Sequence, residues 1–226
     1  MKRFIKSLLY ILVGIFIFVV LPLLAWNIHY LDTFFNDSIR KIYVVIIAAL
    51  QVFAIIYNPE VTKEKENKNN LMPQSKIDLF LIQIFSLLIV VSAPYSDSHS
   101  IGAFNCGDFV RYVGLVFVLF GFFLMQFAEK KLNRQFSVKV TIQENHQLVK
   151  TGPYRIIRHP RYLGILVFFT GISFVFRSYL AMGITFMLLL VLVWRIRAEE
   201  SLLKKQFKKE WDNYCAETWR MIPYLF

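Results

Sequence analysis

Long apolar stretches alternate along this chain with short blocks that hold nearly all of its charge. The apolar runs cover about 4–26, 41–57, 77–94 and 109–128, and a last one extends from Tyr162 to Trp194. A bilayer core of roughly 30 Å is crossed by about 17–25 apolar residues in a helix, so each run qualifies as a span. The last run is too long for one span at about 1.5 Å per residue, and Arg177-Ser178 interrupts it. It reads as two short antiparallel helices turning at that pair. The pattern predicts an all-α, polytopic membrane helix bundle with six transmembrane helices, the last two a helical hairpin, followed by a C-terminal helix.

The first run follows Met1-Lys2-Arg3 much as a secretory leader would. Its apolar part exceeds the roughly 7–15 residues of a signal peptide, and no small-x-small cleavage site follows, so it is read as the first span. Segment 58–76 opens with Asn58-Pro59 and continues rich in Lys, Glu and Asn. That composition is a solvated loop. No internal repeat is visible.

Charge then orients the bundle. Of 26 Lys and Arg, 22 lie in the blocks 1–6, 58–76, 129–161 and 195–226, and the alternate loops hold only Arg40, Lys41, Arg111 and Arg177. An even number of spans places the rich blocks on one side, which the positive-inside rule makes the cytoplasm, with both termini there. Composition supports a membrane protein, with 57% hydrophobic and 17% aromatic residues, above the near-half apolar content of soluble domains. A net charge of +11 would suggest nucleic acid in a soluble chain. Here orientation accounts for it, and no nucleic-acid partner is expected. Cys106 and Cys215 fall on opposite predicted sides, so neither a disulfide nor a metal site follows. His29 and His99, on the outer side, read as surface histidines.

Two cytoplasmic segments hold more than anchoring requires. The first runs from Leu148 to Gly164 as LVKTGPYRIIRHPRYLG. Gly152-Pro153 is turn chemistry, and His159-Pro160 suits a helix start, where a missing N–H costs nothing. The free N–H groups of such a helix end can meet a ligand carboxylate. On composition alone the commoner reading is an interfacial loop, with Arg155, Arg158 and Arg161 at lipid headgroups and Tyr154 and Tyr162 in the aromatic belt. The second segment, Trp194-Arg195-Ile196-Arg197-Ala198-Glu199-Glu200, directly follows the last span. Arg195 and Glu199 are four apart and share a helix face. Two acids at a membrane boundary are costly unless they pair or face a polar cavity. A helical salt-bridge ladder and a polar site explain them about equally well.

The order of a glycine-bearing span, L-V-x-x-G-P-Y-x-x-x-R-H-P-x-Y-x-G, a helical hairpin, R-x-R-x-E-E and a closing Ile222-Pro223 resembles the isoprenylcysteine carboxyl methyltransferase family. The resemblance covers about 109–226, which divides the chain into N-terminal spans (1–108) and a methyltransferase core (109–226) with a cofactor loop at 129–161. It implies S-adenosylmethionine as cofactor, contacted by His146, Gln147, Leu148, Val149, Tyr154, His159, Pro160, Arg161, Tyr162 and Glu199. It also implies that Arg195 holds the substrate carboxylate, which makes Arg195 and Glu199 the expected catalytic pair. One departure is visible. Many members carry a glycine after the phenylalanine that follows the paired acids, where this chain has Phe207-Lys208-Lys209. The position bears on the shape of the terminal helix.

The chemistry suits these residues. A sulfonium methyl needs no metal, only a nucleophile held in line with it, so positioning supplies most of the acceleration. A carboxylate acceptor is already ionised, and an arginine orients it through a two-pronged pair. A thiol or amine must first lose a proton, which would bring in a base such as His159. The leading expectation is a membrane enzyme acting on a lipophilic acceptor that arrives through the bilayer, foremost the C-terminal carboxylate of an isoprenylcysteine. A phospholipid amine or a small thiol is the alternative acceptor, and a non-catalytic lipid-binding protein the alternative of another class. The active site is expected in the cytoplasm, at the plasma membrane of a prokaryote or the endoplasmic reticulum of a eukaryote. Oligomeric state is left open.

Overall fold

The computed structural model describes residues 9, 11–57, 74–105, 107–132 and 148–225. Among them the architecture is helical, and β pairing is confined to the isolated bridges Ala103–Ser178 and Ile157–Trp219. The helices are α1 (Ile11–Trp26), α2 (Ile28–Asn36), α3 (Ser38–Tyr57), α4 (Gln74–His99), α5 (Asp108–Leu132), α6 (Pro160–Val175), α7 (Tyr179–Phe207) and α8 (Lys209–Glu217). Three of them, α4, α5 and α7, are long and apolar enough to cross a bilayer, and α1 with α2 makes a fourth such unit if the pair is one broken span. The protein is an integral membrane protein.

The first predicted span ends in a sharp elbow that the hydrophobic pattern did not announce. Pro22 has no N–H to give the Phe18 carbonyl four residues back, and its ring crowds that carbonyl. Helix α1 widens there into a π turn over Phe16–Val20. The buried Tyr43 of α3 donates its hydroxyl to the Phe18 carbonyl at 3.3 Å. At Asn27 the backbone takes φ +115°, the Asn27 side chain accepts from the His29 N–H at 3.1 Å, and α2 leaves at 85°.

Helices α5 and α6 make the closest approach. Gly121 faces Gly164 and Gly114 faces Gly171, so the helices run antiparallel. A Cβ on Gly121 would lie 2.5 Å from the Phe168 nitrogen and 2.6 Å from the Gly164 carbonyl oxygen, and one on Gly171 would lie 2.6 Å from the Gly114 carbonyl. Glycines seven residues apart stay on one seam. Membrane helices associate through such contact because lipid gives apolar surfaces no reason to leave it.

The last apolar run turns where expected, at Arg177 (φ +49°) and Ser178, whose hydroxyl accepts from the Ala181 N–H at 3.0 Å. Its two helices are unequal, which corrects the expectation of two short ones. Helix α6 has 16 residues, whereas α7 has 29 and carries on past Trp194 as one rigid rod. The core also runs across residue 108, since Ile89 and Val90 of α4 and Leu188 and Leu192 of α7 belong to one buried cluster.

Three of the four basic residues assigned to outer loops are not simple solvated charges. Arg40 reaches Asp97 at 2.9 Å, Arg111 grips both oxygens of Asp37 at 2.8 Å, and Arg177 reaches Asp97 at 2.9 Å. Arg111 also donates to the Val175 carbonyl at 3.1 Å. The cluster ties the starts of α3 and α5 to the end of α4 and to the hairpin turn. Burial alone would raise the Asp37 carboxyl, but the hydrogen bonds from Arg111 and the Arg40 N–H, with both positive charges, hold it down at about 2. His29 and His99 are exposed, as expected.

Candidate active site

The site is built on the loop that leads into α6. Gly152 takes φ +64°, the left-handed conformation that favours glycine. A single 3-10 turn over Gly152–Arg155 then buries Tyr154. The Tyr154 hydroxyl approaches the Ala128 carbonyl of α5 at 3.5 Å, and its own carbonyl accepts from the Tyr214 hydroxyl of α8 at 2.7 Å. Beyond it the backbone pairs with the chain's C-terminal segment. The Arg158 N–H donates to the Trp219 carbonyl at 2.8 Å, and the His159 N–H to the Arg220 carbonyl at 3.0 Å. The Arg158 side chain reaches Glu200 at 3.0 Å and the Cys215 carbonyl at 3.3 Å, and Arg220 reaches the other Glu200 oxygen at 2.8 Å. Glu200 thus locks loop, α7 and C-terminal segment together. Cys215 is a half-buried free cysteine, and burial pushes its thiol up.

Pro160 opens α6, as proline at a first helical position should. One turn of that helix then faces the part of α7 that follows Trp194. Tyr162 donates its hydroxyl to Glu199 and accepts from Arg195 Nε at 2.7 Å. Arg195 Nε lies 3.2 Å from Glu199 Oε1, the four-residue pair expected on a helix face. The His159 ring stacks on Tyr162 with centroids 5.7 Å apart, with Nδ1 3.7 Å from Glu199 and Nε2 3.3 Å from Glu200. Arg195 is only 2% exposed.

The structure therefore gathers His159, Tyr162, Arg195 and Glu199 into one cluster. Arg161 turns instead toward α5, where its Nε meets Glu129 at 2.7 Å, and Tyr154 faces the same helix. Pro160 is buried beneath the helix start, and Leu148 and Val149 are half-buried in the approach to the loop. His146 and Gln147 lie outside the described residues. Of the arginines read as lipid anchors, Arg155 is exposed, whereas Arg158 and Arg161 are committed to carboxylates.

Sequence reasoning missed Asp78. This α4 residue is 1% exposed, and its Oδ2 lies 3.7 Å from Arg195 Nη1. Among the described residues neither of its oxygens meets a hydrogen-bond donor. The signal was present, since an acid just inside a predicted span is a pointer to function. Two carboxylates, Asp78 and Glu199, consequently flank one guanidinium. Such a cluster suits a ligand set containing both a cation and an anion.

The segment matched by comparison with known proteins includes His159, Tyr162, Arg195 and Glu199 of this cluster. Residues 113–205 match the isoprenylcysteine carboxyl methyltransferase (ICMT) family. A probable protein-S-isoprenylcysteine O-methyltransferase of Oryza sativa subsp. japonica is 30% identical over 120 residues, covering 52% of this chain and 63% of that protein. Protein-S-isoprenylcysteine O-methyltransferase B of Arabidopsis thaliana is 30% identical, covering 50% and 58%. The Saccharomyces cerevisiae protein-S-isoprenylcysteine O-methyltransferase is 32% identical, covering 50% and 48%. The aligned part thus spans about half to three fifths of these relatives. The solved structure of a eukaryotic intramembrane Ras methyltransferase, isoprenylcysteine carboxyl methyltransferase, shares the fold with a TM-score of 0.55 at 19% identity, covering 99% of this chain and 75% of that one. Over residues 113–205 the chain is thus similar to the isoprenylcysteine carboxyl methyltransferase family.

Proposed function

We propose that this protein is a membrane methyltransferase that moves a methyl group from S-adenosylmethionine to a lipophilic carboxylate, foremost that of a C-terminal isoprenylcysteine. The observation that carries the reading is the buried Arg195, held at one edge by Tyr162 and Glu199 within the family-matched segment. A guanidinium is the planar, charged donor whose geometry matches a carboxylate.

The residues fit a cationic cofactor. Asp78 and Glu199 outnumber Arg195 by one negative charge within their cluster, and Glu199 keeps 22% of its side chain exposed. When bound, S-adenosylmethionine supplies an electrophilic methyl on a positively charged sulfur. Glu199 and His159 would hold its positive end, Tyr162 would carry the hydrogen bond between Glu199 and Arg195, and Tyr154 with the 148–162 loop would wall the pocket. His146 and Gln147 complete the proposed cofactor set, together with Leu148, Val149, Pro160 and Arg161. Arg195 orients the acceptor, and no general base is required.

The helix lengths favour an acceptor that arrives through the bilayer. At about 1.5 Å per residue, the 16 residues of α6 span roughly 24 Å, short of a core of roughly 30 Å. A recess at the Pro160 end, where the site sits, would open it to an acceptor within the bilayer. Six crossings with both termini and the site on the cytoplasmic side, counting α3 and α6, complete the reading. Its support is the one-sided distribution of Lys and Arg. The test is to incubate the purified protein and methyl-labelled S-adenosylmethionine with a farnesyl-cysteine analogue, phosphatidylethanolamine and a simple thiol. Label in the farnesyl-cysteine carboxylate alone is expected. Label only in the amine or the thiol would overturn the assignment.

A further inference from the structure

We propose that Asp78 of α4 is a positioning residue of the acceptor site, raising turnover by destabilising the anionic acceptor relative to its methylated form. The proposal rests on the reading that Arg195 holds an acceptor carboxylate. It also extends the site to α4, outside the segment that matches the family.

The molecule contains its own standard for a structural ion pair. In the outer cluster Asp37 and Asp97 accept hydrogen bonds of 2.8 to 2.9 Å from Arg111, Arg40 and Arg177. Asp78 is more deeply buried than Asp37, yet it approaches Arg195 only to 3.7 Å. Among the described residues its oxygens accept no hydrogen bond. A buried carboxylate left so loosely paired costs stability, and an apolar residue would serve packing better. What the arrangement provides is a fixed negative charge beside the guanidinium, while Tyr162 and Glu199 occupy the Nε edge.

An acceptor carboxylate that reaches Arg195 therefore comes up against Asp78 on the same cation. During transfer the acceptor oxygen gives its electron pair to the methyl carbon. The bond from that carbon to sulfur breaks, its pair stays on sulfur, and a neutral ester results with no proton moved. Repulsion from Asp78 acts on the anion and fades as its charge disappears. It opposes binding and favours transfer, which is how a ground-state interaction becomes rate.

The test uses Asp78→Asn, of nearly the same shape, and Asp78→Ser, in reconstituted full-length protein with N-acetyl-S-farnesylcysteine. For like charges within several ångströms in a partly shielded site, the expected fall in KM is about tenfold, with a fall in kcat of up to the same factor. Equilibrium binding of the acceptor in the presence of S-adenosylhomocysteine should tighten by about the same factor. If the parent methylates this acceptor and both variants bind it no more tightly, the role of Asp78 is overturned while the carboxylate reading stands. If the parent leaves the acceptor unmethylated, the carboxylate reading fails and the role of Asp78 fails with it.

Discussion

Adding one methyl group at Gly121 should cost stability and activity together. The new Cβ would sit 2.5 Å from the Phe168 nitrogen, 2.6 Å from the Gly164 carbonyl oxygen and 2.9 Å from the Phe168 Cα. All three are backbone atoms, so no side chain can swing aside, and α5 and α6 must separate by close to 1 Å. Overpacking of this kind costs about 1–3 kcal/mol, and rigid neighbours place it toward the upper end. Alanine's better helix propensity returns roughly 1 kcal/mol, leaving a net loss of about 2 kcal/mol. For a chain of this size that corresponds to a melting temperature lower by roughly 4–8 °C. The separation also moves the α6 end that carries Pro160 and Tyr162, so methyl transfer should fall by more than the loss of folded protein explains. Gly183→Ala in α7 is the control, because nothing lies within 4 Å of its added Cβ. That variant should melt at or slightly above the parent temperature. Thermal unfolding of both variants in detergent reads the difference, and a Gly121→Ala protein that melts with the control would refute the close-packing argument.

Other consequences are open to the same kind of measurement. Lys208, which joins α7 to α8, adopts φ +49° and ψ −118°, a conformation that strains a residue with a side chain by roughly 1–3 kcal/mol. Lys208→Gly should therefore raise the melting temperature by a few degrees without changing turnover, and a lower melting temperature would show that the strain is absent. Asp37, held near 2 against an ordinary 3.8, contributes on the order of 1 kcal/mol after solvent screening, fully present above pH 4 and lost as pH falls toward 2. The parent should lose thermal stability across that window more steeply than Asp37→Asn, and parallel profiles would remove Asp37 from the account.

What the sequence revealed, and what it hid, follows from the range of the interactions. The hairpin turn was legible because Arg177-Ser178 is a polar break inside an apolar run. The start of α6 was legible because His159-Pro160 is local chemistry. The Arg195–Glu199 pair lies within one helical turn, so spacing alone predicted it. The elbow at Asn27 was not legible, since the apolar run simply ends at Trp26 and a change of helix direction leaves no mark in hydrophobicity. Nor could local pattern assign Arg40, Arg111 and Arg177 to carboxylates, because the partners they reach, Asp97 for Arg40 and Arg177 and Asp37 for Arg111, lie far away along the chain. Asp78 is the same case at the site itself, where α4 brings it to Arg195 across more than a hundred residues of chain. The glycine noted as missing after Phe207 is explained by the backbone, for Lys208 stands in a positive-φ position that glycine would fill without strain.

Arg195→Lys tests the central claim most directly. Lysine keeps the positive charge, so a residue serving only to orient the protein in the membrane would tolerate it. It has neither the Nε donor that meets Tyr162 nor the planar guanidinium that matches a carboxylate in two prongs. Losing a charge-assisted hydrogen bond of about 1.5–3 kcal/mol implies a fall in turnover of roughly 10- to 100-fold. In reconstituted protein with a farnesyl-cysteine carboxylate acceptor, the account predicts that loss, together with normal insertion and parental binding of S-adenosylmethionine. Near-parental turnover with lysine would contradict it and leave Arg195 as an anchor.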